Sequence, residues 1–241
     1  MGGGGAPVEE VLAHQKEEIC DSLHRFLAEE LGDLAVKRVV CEGDPAEIIT
    51  AYCASERVGL VMMPTRGCSG FRRLLLGSVT AKVLNEVDCP VWTISHLSNG
   101  CSTVSVVPKV IVCAIDRTPN GAEIQWATDA ASDLLAHLIV AHAIPALGFD
   151  PEPDLEEANL RKFLIGDAPT TILDALRRSR MPGAEVRVEG GSVSSVVRSI
   201  VENSRADLLV IGRASDSGIL GRMRTHSYAL IRESPCPVIS I

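Results

Sequence analysis

Apolar positions fall into two alternating textures along the chain. Short, near-continuous apolar runs such as Leu60-Val61-Met62-Met63, Lys109 to Ile115, Leu138 to Ala143 and Leu208-Leu209-Val210-Ile211 have the length and β-branched content of buried strands. Between them lie stretches with apolar residues at helical spacing. Ile124, Trp126, Ala127, Ala130, Ala131 and Leu134 mark a helix over Gly121 to Leu135, and Ser192 to Asn203 marks another. Strands buried on both faces, each followed by a helix, predict a parallel sheet with right-handed crossovers, a doubly wound α/β fold.

The pattern is used twice. Val40 to Gly67 lies on Val188 to Ser215 at an offset of 148, and Asp88 to Ile94 matches Pro235 to Ile241 at 147. A one-residue deletion therefore falls in the loop or helix between these landmarks. The expected division is a first domain over 1–96, a linker over 97–108 rich in Ser, Gly and Asn, and a second domain over 109–241.

The first copy begins late. An amphipathic helix over Pro7 to Leu31 carries Val8, Val11, Leu12, Ile19, Leu23, Phe26, Leu27 and Leu31 at helical spacing, with Gly32 as a stop, and Val36 to Val40 reads as a strand. Asp44-Pro45-Ala46-Glu47 then opens a helix, Asp44 placed to cap and Glu47 where a capping box wants it. Nothing in the first copy corresponds to the second copy's first strand, first helix and second strand. The expectation is a chain that starts partway into its first domain, with another segment needed to fill the gap. Pro145 to Pro153 reads as a loop, and Leu155 to Arg180 as a helical region broken near Pro169.

Composition narrows the function classes. Of 241 residues 46% are hydrophobic and 22% charged, and the formal net charge is −8, shared as −5 and −3 by the halves on either side of residue 105. Neither half has the dense basic face that phosphate-backbone binding needs, so no nucleic-acid partner is expected. A membrane span needs about 18 or more apolar residues; the best run, Ala136 to Ile144, contains His137 and His142, and no membrane partner is expected. The start, Met1 to Gly5, has neither a basic nor an apolar leader region. Eight cysteines at scattered spacings read as small buried hydrophobes of a reducing compartment, and the expected address is the cytoplasm. His137 and His142, five apart on one strand, point to opposite faces and cannot share a metal, so no metal site is expected. No triad, zinc motif or P-loop is present. Met62 and Met63 read as sheet core.

Candidate chemistry lies after Met63. Pro64-Thr65-Arg66-Gly67 leaves the carboxyl end of a strand, and the chain enters a helix at Gly77-Ser78-Val79. Glycines let a backbone approach a phosphate, and a helix N-terminus offers unpaired N–H groups. The plain alternative is a tight strand-to-helix connection with Ser78 as its N-cap.

Taken together, Gly43 to Ile49, the Thr65 to Gly70 turn, Leu76-Gly77-Ser78-Val79, the twice-used Cys-Pro-Val strand and Val112 to Asp116 resemble the universal stress protein family over essentially the whole chain. The resemblance implies two Rossmann-like domains of strand order 3-2-1-4-5, the first lacking its opening βαβ. It also implies stress-responsive regulation, and binding of ATP or another adenine nucleotide in members that keep a Gly, two residues, Gly, nine residues, Gly-Ser/Thr pattern. Carried onto this chain, Met63, Gly67, Gly77, Ser78 and Val79 form a first-domain phosphate loop, and Asp116 marks the nucleoside end in the second domain. Both copies depart from the pattern. Pro64 stands where the first glycine belongs; in the second copy Gly212 matches, but Ser215 replaces the next glycine and the spacer of eight ends in Arg224-Thr225. The resemblance further implies self-association, as an intrachain pseudo-dimer through Val91 to Ile94 and Val238 to Ile241 or as a homodimer. Two other functions stay open: a tandem that binds no nucleotide and acts by protein contact, and a slow ATP hydrolase.

Overall fold

The protein was analysed as a computed structural model, which describes residues 8–65, 76–94, 107–115, 121–144, 183–213 and 225–241. The chain divides into two compact units, 1–48 and 49–241.

In the first unit, helix α1 spans Val8–Arg25 and gives way to turns. Of its expected apolar stripe, Ile19, Leu23, Phe26, Leu27 and Leu31 are not buried. Phe26 is 64% exposed, Ile19 and Leu27 are exposed, and Leu23 and Leu31 are half-covered. Arg38 donates to the carbonyls of Leu23 and Phe26, holding the helix end to the extended stretch that follows. That stretch corrects the sequence reading: Val36 to Val40 is extended but belongs to no sheet. In the order 3-2-1-4-5 a third strand leans on a second, and the described residues of this half supply none. Asp44 Oδ1 accepts from the N–H groups of Ala46 and Glu47, so the predicted cap of helix α2 (Pro45–Ser55) is present.

Residues 49–241 hold one seven-stranded sheet. Its strands are β1 (Val61–Pro64), β2 (Val91–Ile94), β3 (Val110–Ile115), β4 (His137–Ile144), β5 (Glu185–Gly190), β6 (Leu208–Ile211) and β7 (Val238–Ser240), in the order β1-β2-β7-β6-β3-β4-β5. All neighbours are parallel except β2 and β7. The last five strands read 5-4-1-2-3, a complete doubly wound half. Helices α4 (Ala122–Leu134) and α5 (Val193–Ser204) follow β3 and β5, and α3 (Ser78–Glu86) and α6 (Thr225–Glu233) precede β2 and β7.

Both faces of the second half are dry. Ile111, Cys113, Val140, Leu208, Val210 and Ile239 pack with Ile124, Ala127 and Ala131 of α4. The alternate residues Val112, Ile139 and Leu209 are buried too, Leu209 facing α5 and α6. Met62 departs from the sequence reading. It is 64% exposed, on the strand that ends the sheet among the described residues.

The duplication is written into the hydrogen bonds. Val61 N–H donates to the Pro90 carbonyl and Thr65 N–H to Ile94; Leu209 N–H donates to Pro237 and Arg213 N–H to Ile241 in the same places of the second half. At the antiparallel seam Trp92 stands opposite Ile239. On either side of that pair Thr93 Oγ1 donates to the Val238 carbonyl at 3.2 Å, and Ser240 Oγ to the Val91 carbonyl at 3.4 Å. The offset of 147 exchanges these two bonds, so β2 and β7 meet about a local pseudo-two-fold axis.

Candidate functional site

The first candidate is the corner where β1 hands over to α3. Gly77 N–H donates to the Thr65 carbonyl at 2.9 Å, and Thr80 Oγ1 donates to the Pro64 carbonyl at 3.0 Å. Two bonds thus pin the start of α3 to the end of β1. Gly77, not Ser78, is the N-cap: it is extended (φ −62°, ψ 143°), and no side chain caps the helix. The N–H groups of the first turn, from Ser78 and Val79, therefore lack an intrahelical acceptor. The first turn carries no acidic residue, and the Ser78 side chain is exposed. Partial positive charge, donors without an intrahelical acceptor and a hydroxyl meet at one point. These residues fit a phosphate group. Met63, half-buried on β1 opposite Thr93, precedes this corner. Gly67 lies outside the described residues, as do Arg66 and the rest of 66–75.

The second candidate is the switch point of the second half, between the carboxyl ends of β3 and β6. Asp116 lies outside the described residues, but its predecessor Ile115 ends β3. Beside it His142 is buried, and its Nδ1 donates to the Ile115 carbonyl at 3.1 Å, which leaves Nε2 turned away from that bond. His137, by contrast, is exposed at the other end of β4 and bonds Glu185 Oε2 at 3.1 Å. Gly212 follows β6. A Cβ placed on it would lie 3.2 Å from Glu123 Cδ, 3.3 Å from Oε2 and 3.4 Å from Oε1. Glu123, in the first turn of α4, is only 5% exposed.

The two candidates are not parts of one site. Four lanes separate β1 from β3, about 19 Å at about 4.8 Å per lane. Because β2 and β7 are antiparallel, the carboxyl ends of β1 and β3 also lie on opposite edges of the sheet. The Gly77-Ser78 corner and the Ile115 end of β3 face away from each other.

Two residues at these corners escaped the sequence reading. Glu123 stands one turn before Ala127 and two before Ala131, on the row that α4 buries, and that spacing was the available signal. Arg213 is 8% exposed, and its guanidinium donates to the carbonyls of Leu84 (3.0 Å), Val87 (2.9 Å) and Cys89 (2.6 Å). It closes the carboxyl end of α3 from the other half, a contact nothing local foretells. Among the described residues no group of three or more His, Cys, Asp or Glu side chains is placed to hold a metal ion, and no helix is long and apolar enough to cross a membrane.

Comparison with known proteins agrees with the duplicated fold. A universal stress protein of Methanocaldococcus jannaschii, MJ0531, is 31% identical over 87 residues, 36% of this chain and 50% of that protein. A Thermus aquaticus universal stress protein is 40% identical over 53 residues, 22% of this chain and 39% of its own length. The chain thus spans half or less of these curated relatives. Among solved structures, a universal stress protein of Archaeoglobus fulgidus superposes with a TM-score of 0.63 at 22% identity, covering 98% of this chain and 80% of that one. A putative universal stress protein of Pseudomonas aeruginosa gives 0.64 at 17% identity, over 92% and 77%. At these identities the likeness establishes the fold. The sequence itself matches the Universal stress protein family over residues 2–95 and again over 108–241, and the chain belongs to that family as a tandem of two such domains.

Proposed function

We propose that this chain is a non-enzymatic stress-response regulator of the cytoplasm whose first half binds ATP or another adenine nucleotide at the β1–α3 corner. The observation that carries the reading is the uncapped start of α3, fixed to the end of β1 by Gly77 and Thr80 and free of acidic side chains. The N–H groups of Ser78 and Val79 and the Ser78 hydroxyl take the phosphates; Gly67, carried over from the family pattern, brings the loop backbone close.

Thermal unfolding with and without nucleotide tests this. A ligand at about 100 times its dissociation constant adds about 2.7 kcal/mol of stability, so ATP raises the melting temperature of the full chain, and Gly77→Arg abolishes the rise. No shift with ATP, ADP or AMP refutes nucleotide binding. Phosphate release that disappears in Gly77→Arg identifies a hydrolase instead.

A second reading, action through protein contacts, is favoured by exposed apolar side chains. Phe26, Ile19 and Leu27 on the first unit and Met62 on β1 are uncovered within the described residues. Self-association as a homodimer belongs to this reading, and sedimentation of the full chain with and without ATP tests it.

A further inference from the structure

We propose that Cys53 and Cys89 are a redox modification site, a thiol pair that closes to a disulfide when the protein meets a peroxide. The two residues come from separate elements: Cys53 lies in the last turn of α2, and Cys89 in the turn between α3 and β2. Cys53 is 8% exposed, and its thiol hydrogen-bonds the Cys89 side chain. One turn earlier on α2, Thr50 Oγ1 donates to Oε2 of Glu86, three residues before Cys89, at 3.4 Å. The same stretch of helix thus meets the same turn at two points. The Cys89 carbonyl in turn accepts from Arg213 Nη2, which holds the turn from the other half. All these residues belong to the unit 49–241. Sulfurs already in hydrogen-bond contact need only a short approach to bond covalently.

The second copy shows what is particular to the first. At the offsets of 148 and 147, Cys53 falls on Val201 and Cys89 on Cys236. Both are buried; Val201 lines one small crevice with Ser234 and Pro235, and the Cys236 thiol meets the Ser234 hydroxyl at 3.5 Å. The fold brings this helix position to this turn in each half, and the first copy alone has sulfur at both places.

Cys89 is half-buried and meets an oxidant before Cys53 does. Burial, and then Cys89 itself, hold the Cys53 thiol above its ordinary value, so it stays protonated until its partner is oxidised. The Cys89 sulfur attacks one oxygen of hydrogen peroxide, the O–O bond breaks, and the departing hydroxide leaves with the thiol proton as water. Cys53 sulfur then attacks the Cys89 sulfenic acid: the S–S bond forms, the S–O bond breaks, and the hydroxyl leaves with the Cys53 proton as a second water. The thiols give up two electrons and the peroxide takes them. The bond ties α2 to the turn that Arg213 clamps, whether or not the first half binds nucleotide.

The test treats the reduced full chain with hydrogen peroxide, blocks it with iodoacetamide and digests it without reductant. Mass spectrometry is expected to find a Cys53–Cys89 link, its sulfurs located by fragmentation, that is absent without peroxide and lost with dithiothreitol. Cys89 oxidised to sulfinic acid, or joined to any other cysteine, with no link to Cys53 overturns the proposal. Cys53→Val, which installs the second copy's own residue, is expected to strand Cys89 as a sulfenic acid and raise its dimedone adduct above that of the parent; equal adducts overturn the proposal as well. The linkage map needs no substitution and decides the matter even if that variant fails to fold.

Discussion

Arg213 Nη1 donates to the carbonyl oxygen of Val87 at 2.9 Å, joining a residue that leaves β6 to the C-cap of α3, 126 positions earlier. The same nitrogen reaches Leu84, and Nη2 reaches Cys89. One guanidinium thereby answers three carbonyls at the negative end of a helix, the end where the macrodipole favours a cation. It acts as a cross-half clamp next to the β2–β7 seam. Arg213→Ala strips two buried acceptors and one part-buried acceptor of their donor and is expected to cost about 2–4 kcal/mol. Arg213→Lys recovers only part, since an ammonium lacks the planar fork. Urea unfolding midpoints of the two variants check both statements.

The seam itself is expected to respond more mildly. Thr93→Val removes the hydroxyl bond to Val238 but keeps the volume and leaves the ladder intact, a loss of about 1 kcal/mol. Ser240→Ala removes its pseudo-symmetric counterpart and is expected to cost about the same. A denaturation series on the two singles and the double measures each term.

Acid sensitivity has a local source at the sheet's other end. Hydrogen bonds from Arg187 and then His137 hold the Glu185 carboxyl below its ordinary value. A folded-state pKa that is depressed adds stability above the unfolded value, about 4.3, and that contribution fades as pH falls through the folded value. Glu185 is well exposed, so solvent screening keeps the term within about 1 kcal/mol. The stability gap between wild type and Glu185→Gln is therefore expected at pH 7 and to vanish once the carboxyl is protonated; unfolding curves across pH 3 to 7 reveal it.

Thiol chemistry reads out the burial pattern. Burial, and then the nearby Glu123 carboxylate, push the Cys113 thiol far up; burial, and then Cys89, raise Cys53. Only thiolates alkylate readily. At pH 8, among the described cysteines, the exposed Cys41 is expected to react with iodoacetamide first, and Cys113 only after unfolding. Peptide mass spectrometry over a time course gives the order.

Much of the architecture was legible because burial on both faces forces continuous apolar strands, and because the two copies repeat those strands at a constant offset. The Asp44 cap was legible for the same local reason: a short carboxylate ahead of Pro45 has one good use. What failed was whatever depends on neighbours. Val36 to Val40 has strand character but no strand to lean on; Met62 looks like core but sits on the last lane of the sheet; the α1 stripe has helical spacing yet Phe26 stays in solvent. Glu123 and Arg213 are polar residues in buried places, each meaningful only through a partner distant in sequence or across the seam. Even at the β1–α3 corner the spacing located the helix start but gave the cap to Ser78, where the backbone gives it to Gly77.

The reversal of direction between β2 and β7 has a consequence for inheritance. Two copies joined this way aim the carboxyl ends of their parallel strands at opposite horizons, so a substitution at one corner lies far from the other. Duplication under that arrangement frees each copy to drift to its own chemistry, with the shared ladder and the Arg213 clamp as features both must preserve.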